Sequence, residues 1–229
     1  SILGNLGTCY ADLGSNQQAK QCFEAAISIA RQLDLRDTEA SYLAFLADTL
    51  IVEDAFAEAI QCASDGAKIA EQIGSATAAS LNYQFLAAAH LFAGQTQEAC
   101  KAAASGHQYE ESRSKHTVLN LIGLAALAQS EHQAARIAFQ TANTETDSLL
   151  MHNPRNYLAL DAKGLALCGL TLCEGESRVP AAIEVYRAAR AVTVAPGIVG
   201  RALRLFDALA TADEAGVLAP MRPVVAGER

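Results

Sequence analysis

An internal repeat constrains the fold of this 229-residue chain more than any other sequence feature. The first copy places Leu3, Leu6, Gly7 and Tyr10 ahead of Ala19, Phe23 and Ala26. Residues of similar type return three times at intervals of about 40, 40 and 36: Leu43, Leu46, Ala47, Leu50, Ala59, Ala63 and Gly66; Tyr83, Leu86, Ala87, His90, Ala99, Ala103 and Gly106; Leu119, Ile122, Gly123, Ala126, Ala135, Phe139 and Ala142. A looser fifth copy carries Leu165, Gly169, Leu172, Ala182, Tyr186 and Ala189. Repetition with this period is typical of stacked structural units.

The spacing within each copy predicts a pair of antiparallel helices. Apolar residues three or four apart lie on one side of an α-helix, and small residues let two helices approach closely. Gly7, Ala47, Ala87 and Gly123 of the first helices are expected to face Ala19, Ala59, Ala99 and Ala135 of the second. The predicted helices are 2–13 and 16–33, 37–52 and 55–73, 76–93 and 96–113, 116–129 and 132–147, and 155–173 and 179–194. No run alternates in the way a β-strand does, and the first proline is Pro154, so the sequence predicts an all-α fold.

These residues resemble the tetratricopeptide repeat (TPR) family over roughly residues 1–195. The chain departs from the family pattern where Leu3, Leu43, Tyr83 and Leu119 replace tryptophan, and in its longer period. That period is similar to the variant in kinesin light chains, in polarity adaptors and in the C-terminal arrays of bacterial signalling NTPases, regulators and nucleotide cyclases. The resemblance implies a right-handed superhelical solenoid of about five repeats. It also implies a non-enzymatic protein–protein interaction role that binds peptides or partner domains.

The pattern divides the chain into three parts. Residues 1–195 are expected to form the repeat array, and 196–212 an amphipathic capping helix. Residues 213–229, with Pro220 and Pro223, are expected to be a loose tail. The first residue, Ser1, lies within a helical pattern, and from this the chain is expected to be part of a longer protein.

Charge and motifs argue against several other functions. A net charge of −8 disfavours nucleic acid as a partner, and no apolar run is long enough to cross a bilayer, so a cytoplasmic location is expected. The sequence holds no phosphate-binding loop, nucleophile elbow or zinc-binding helix motif, and no cofactor or metal is expected. Cys100 and His107 share one predicted helix, but about 10 Å separates them along its axis. No catalytic residue is assigned.

The first helices predict a concave face for partner binding. The residues expected there are Asn5, Thr8, Asp12, Phe45, Asp48, Val52, Leu81, Gln84, Phe85, Phe92, Asn120, Leu121 and Leu124. Most are apolar and none is a lysine or arginine, so a clamp for a peptide carboxylate is not expected. We interpret this set as a largely apolar groove for an amphipathic helix or an apolar peptide.

Several alternatives remain open from the sequence. The apolar residues of the groove could be internal core, or the tail after residue 212 could cover them. The chain could be a self-associating scaffold, or an autonomous enzyme with an unrecognised site. A small basic patch of Arg187, Arg190, Arg201 and Arg204 is a further candidate surface. The leading hypothesis is an array that binds a protein, a peptide or a neighbouring domain of the same full-length chain and regulates an attached effector domain.

Overall fold

The computed structural model describes residues 2–109, 115–175 and 178–228. Within these ranges there are twelve α-helices and no β-strand, so the all-α prediction is confirmed. The helices are α1 Ile2–Asp12, α2 Asn16–Gln32, α3 Arg36–Val52, α4 Phe56–Ile73, α5 Ala76–Phe92, α6 Thr96–His107, α7 Lys115–Ala128, α8 His132–His152, α9 Tyr157–Glu174, α10 Val179–Val192, α11 Pro196–Ala210 and α12 Met221–Ala226.

Short turns connect consecutive helices from α1 to α6, and each of these turns contains a residue with left-handed backbone conformation. Gly14, Gly74 and Gly94 have φ between 70° and 78°, while Asp34 and Asp54 adopt φ of 52° and 59°. A left-handed residue reverses the chain directly after a helix and satisfies its last carbonyl groups. Turns this short make consecutive helices antiparallel neighbours.

The chain forms two compact units, residues 1–121 and 122–229. In the first unit consecutive helices pack against each other from α1 through α6. The first helices of successive pairs also meet, α1 with α3 and α3 with α5. Helix pairs therefore stack in chain order, as the repeat predicts.

In the α1–α2 and α7–α8 pairs, close packing depends on a glycine that faces an aromatic ring. A Cβ at Gly7 would lie 2.7 Å from the Phe23 ring, and one at Gly123 would lie 2.6 Å from the Phe139 ring. The side chain nearest to Gly7 is therefore Phe23, one turn beyond the expected Ala19, and that nearest to Gly123 is Phe139, one turn beyond Ala135. The closest contact lies one turn away from the expected alanine, because an aromatic ring fills the space left by the missing Cβ of the glycine.

In the second unit α8, α9 and α10 pack in succession, and α11 contacts α9. Several predicted boundaries differ here. Helix α8 continues to His152, while α10 and α11 end at Val192 and Ala210. Helix α9 begins at Tyr157, where the Asn156 side chain accepts a hydrogen bond from the Ala159 amide. In the first unit α6 ends at His107, and the expected extension to 113 falls partly outside the described residues.

The chain after residue 213 differs from the expected loose tail. Residues 221–226 form α12, which contacts α10 and α11. Leu218, Met221 and Val225 are almost completely buried. The Asp213 carboxylate accepts hydrogen bonds from the Val217 and Leu218 amides, at 3.0 and 2.7 Å. Prolines suggested disorder, but three spaced apolar residues give this segment a buried face.

Candidate partner-binding face

The predicted groove residues of α3 and α5 lie in equivalent rows at the protein surface. Phe45, Asp48 and Val52 are half-buried on α3, and Leu81, Phe85 and Phe92 are half-buried on α5. Their spacing of three, four or seven residues puts each set on one side of its helix. Because α3 and α5 pack against each other, the two rows belong to adjacent elements. We call these six residues the groove face.

Aromatic contacts with neighbouring side chains orient two rings of the groove face, Phe45 and Phe92. The Phe45 ring stacks on Phe23 of α2, with centroids 5.7 Å apart, and lies 6.4 Å from Tyr42. The Phe92 ring lies 6.5 Å from that of Phe56 on α4. Each ring therefore packs on one side against a neighbouring helix and keeps part of its surface exposed. Such partial burial fixes the orientation of a large apolar contact surface at little entropic cost.

The polarity of the residues at these equivalent positions changes from α1 to α5. Asn5 and Thr8 on α1 are exposed and Asp12 is half-buried. The row is polar on α1, mixed on α3 and entirely apolar on α5. An extended ligand would therefore meet a polar end and an apolar end.

At α7 the same row is closed to solvent. Leu121 and Leu124 keep only 2% and 4% of their surface exposed. Asn120 is also buried, and Gln84 is half-buried with its Oε1 atom enclosed. Asn120 and Gln84 occupy the register position of Ala44, which is fully buried. Less surface is therefore available to a partner at Asn120, Leu121 and Leu124 than at the six residues of the groove face.

The second candidate surface, the four-arginine patch, is largely engaged within the protein. Arg190 is buried and forms an ion pair with Asp161 of α9. Arg187 pairs with Glu184 at 3.1 Å, and Arg201 and Arg204 also have interaction partners. Arg190 differs from a surface arginine because it pairs with Asp161, and the two side chains are only 6% and 13% exposed.

Clustered metal ligands or an activated thiol would indicate chemistry other than partner binding. In the described ranges no three His, Cys, Asp or Glu side chains cluster in a way that could hold a metal ion. Cys168 is buried, and desolvation raises the pKa of its thiol to about 12, the opposite of an activated nucleophile. None of the described helices is long and apolar enough to span a membrane.

Comparison with solved structures decides the fold. Two solved forms of one protein match this chain. That protein is a Podosopora anserina kinesin light chain protein with nearly identical TPR-like repeats. Its Q17M variant superposes with a TM-score of 0.57 at 17% identity, covering 83% of this chain and 92% of that one. The other form gives a TM-score of 0.55 at 16% identity, covering 83% and 93%.

The chain has a TPR-like fold. At this identity the likeness establishes the fold alone, as a succession of packed helix pairs. No protein family and no curated protein matches the sequence. The TPR-like fold was thus predictable from the repeat pattern, although the sequence lacks the tryptophan of the family pattern.

The structure also reveals a surface that the sequence reasoning missed. Ile2 and Leu6 of α1 and Leu13, directly after it, are exposed although the repeat pattern placed Leu6 among core positions. Leu46, the equivalent residue of α3, is buried, so the repeat pattern carries no signal that distinguishes the two positions.

Proposed function

We propose that this TPR-like array is a protein-interaction module that binds an amphipathic helix or an apolar peptide segment on the groove face. The observation that carries the proposal is the half-buried apolar row of α5, next to the mixed row of α3. Isolated exposed apolar residues are common, but an ordered row on adjacent elements is typical of recognition surfaces.

The chemistry of the groove face supports a particular class of ligand. Three of its residues are aromatic and its one charged residue is Asp48. Asp12 lies in the same row on α1. The proposed ligand therefore presents apolar side chains towards α5 and polar or basic side chains towards α1, which complements the acidic protein.

The proposed biological role is non-enzymatic. In this role the array binds a partner protein or a neighbouring domain of its own full-length chain and so regulates an attached effector domain in bacterial signalling. A cytoplasmic location and the lack of a cofactor belong to the same proposal. The sequence resemblance to signalling arrays with a long period supports this role.

Two aspartate substitutions at equivalent register positions test the groove face. Phe85 is half-buried, whereas Leu121, at the same position on α7, is almost completely buried. Phe85→Asp is expected to shift the melting temperature by only a few degrees, because water can hydrate the new carboxylate. Leu121→Asp is expected to destabilise by several kcal/mol, because it buries a charge without a partner.

Binding is then compared between the parent chain and folded variants. In quantitative pull-downs from the source cell, proteins enriched by the parent chain are expected to be lost with Phe85→Asp. They are expected to remain with Ile29→Asp, an exposed apolar position on α2 outside the groove face. Equal capture by Phe85→Asp and the parent would place the binding surface elsewhere. A collapse of the Phe85→Asp fold would show that this row is internal core.

A further inference from the structure

The segment 214–228 lies on α10 and α11 without sharing a backbone hydrogen bond with them. Within the described part of the chain, every backbone–backbone hydrogen bond of this segment is local and reaches no further back than Asp213. Helix α12 nevertheless contacts both α10 and α11. Leu218, Met221 and Val225 keep at most 1% of their surface exposed. The segment is therefore held mainly by its side chains, as a bound peptide is.

The spacing and charge of the docked residues match those of a helix bound in a groove. Leu218, Met221 and Val225 are the first, fourth and eighth residues of an eight-residue stretch. The fifth is Arg222, whose Nε and Nη2 atoms donate to the two carboxylate oxygens of Asp207 on α11, at 2.9 and 3.2 Å. Apolar residues at this spacing anchor an amphipathic helix in a groove, and a charge pair at the edge fixes its register.

The connection between this segment and α11 is short and exposed. Residues 211–217 are exposed apart from the half-buried Asp213. A short connection gives a linked ligand an effective concentration of roughly 1 mM, so a site of only modest affinity is filled. The docked segment also stabilises the second unit, as any ligand stabilises the state that binds it. A contribution to stability is therefore compatible with exchange of the segment.

We propose that the surface of α10 and α11 that α12 covers is a second peptide-binding site, whose resident ligand is the chain's own C-terminal segment. A partner displaces the segment by presenting a short helix with apolar residues at positions one, four and eight and an arginine at position five. Asp207 selects that arginine and disfavours an acidic residue in its place. The site belongs to the second unit, whereas the groove face belongs to the first.

A fluorescent synthetic peptide of residues 213–229 tests this exchange on the full chain. Met221→Ala in the chain weakens the resident segment, because it removes a side chain that is completely buried. Fluorescence anisotropy is expected to show that the peptide binds this variant at least tenfold more tightly than the parent, whose own segment competes. The peptide is also expected to raise the melting temperature of the variant and to leave that of the parent unchanged.

Charge variants provide the matched controls. Arg222→Glu in the chain weakens the resident segment without leaving a cavity, because Arg222 is exposed and Asp207 repels the new carboxylate. This variant is also expected to bind the peptide more tightly than the parent does. A peptide that carries Arg222→Asp is expected to lose binding to the Met221→Ala chain. Binding is expected to return when that chain also carries Asp207→Arg, which identifies the site.

Three results would overturn the proposal. If the peptide binds neither variant, the segment is an inseparable part of the second unit. If the peptide binds the parent and both variants equally, it occupies a different surface. If light scattering shows that Met221→Ala forms a dimer that the peptide dissociates, the occupant is the segment of a second copy.

Discussion

Arg190 and Asp161 form an ion pair away from solvent, whereas charged side chains are usually exposed. The side chains of Arg190 and Asp161 are 6% and 13% exposed. Nη2 of Arg190 donates to Oδ1 of Asp161, while Nε and Nη1 have no hydrogen-bond partner among the described residues. Burial raises the pKa of the Asp161 carboxyl, and the Arg190 charge opposes that rise. Each charge therefore depends on the other for compensation.

Asp161→Asn is expected to destabilise the protein by about 3 to 5 kcal/mol, because it leaves the Arg190 charge buried and uncompensated. Chemical denaturation of the parent and the variant measures this loss. The double variant Asp161→Asn with Arg190→Met is expected to recover much of it, since no buried charge remains. Equal stability of the single variant and the parent would show that Arg190 reaches water without its partner.

At the scale of helices, Phe139 shows how closely the elements fit. A Cβ at Gly123 of α7 would lie 2.6 Å from one edge of this ring, and a Cβ at Gly169 of α9 would lie 2.5 Å from the other edge. The ring is therefore held between two glycines on different helices and cannot move away from either. In the first unit, the Phe23 ring lies against Gly7 and also contacts the Phe45 and Tyr42 rings.

Gly123→Ala is accordingly expected to destabilise by roughly 1 to 3 kcal/mol through overpacking. Gly200→Ala is the matched control, because no atom lies within 4 Å of a Cβ at this helical position. There the exchange is expected to stabilise by up to about 1 kcal/mol through helix propensity. Thermal melts of both variants measure the contrast, and a change of the same sign in both would contradict the described packing around Phe139.

At the scale of the whole molecule, the C-terminal segment is an integral part of the second unit. Leu218, Met221 and Val225 together place a large apolar surface against the unit. A Cβ at Gly227 would lie 3.3 Å from Cγ of Arg190, so the end of α12 also lies over the stem of the buried arginine. The segment therefore helps to keep both the apolar core and the ion pair from water.

Deletion of residues 214–229 is expected to lower the melting temperature and to increase binding of an apolar dye. Met221→Ala in the full chain is expected to cost about 2 to 5 kcal/mol on its own, because it leaves a cavity. Differential scanning calorimetry compares the three proteins. A deleted chain that melts like the parent would show that the segment is as loose as its prolines suggest.

The sequence by itself determined the helical class and the succession of helix pairs. Periodic small and apolar residues carry that information, because any chain with this pattern has to pair its helices to bury them. It also indicated that Gly7 and Gly123 lie at close approaches. It did not show which residue fills each space, because Ala19 and Phe23 lie on the same side of α2 one turn apart.

Only the tertiary structure decided which apolar rows are covered. Phe85 and Leu121 occupy the same register position, yet one is half-buried and the other is closed to solvent. Leu6 and Leu46 form a second such pair, exposed on α1 and buried on α3. A local pattern specifies the side of a helix on which a residue lies, whereas its burial depends on what packs against that side. For this reason the groove face remains a prediction, while the TPR-like fold is established.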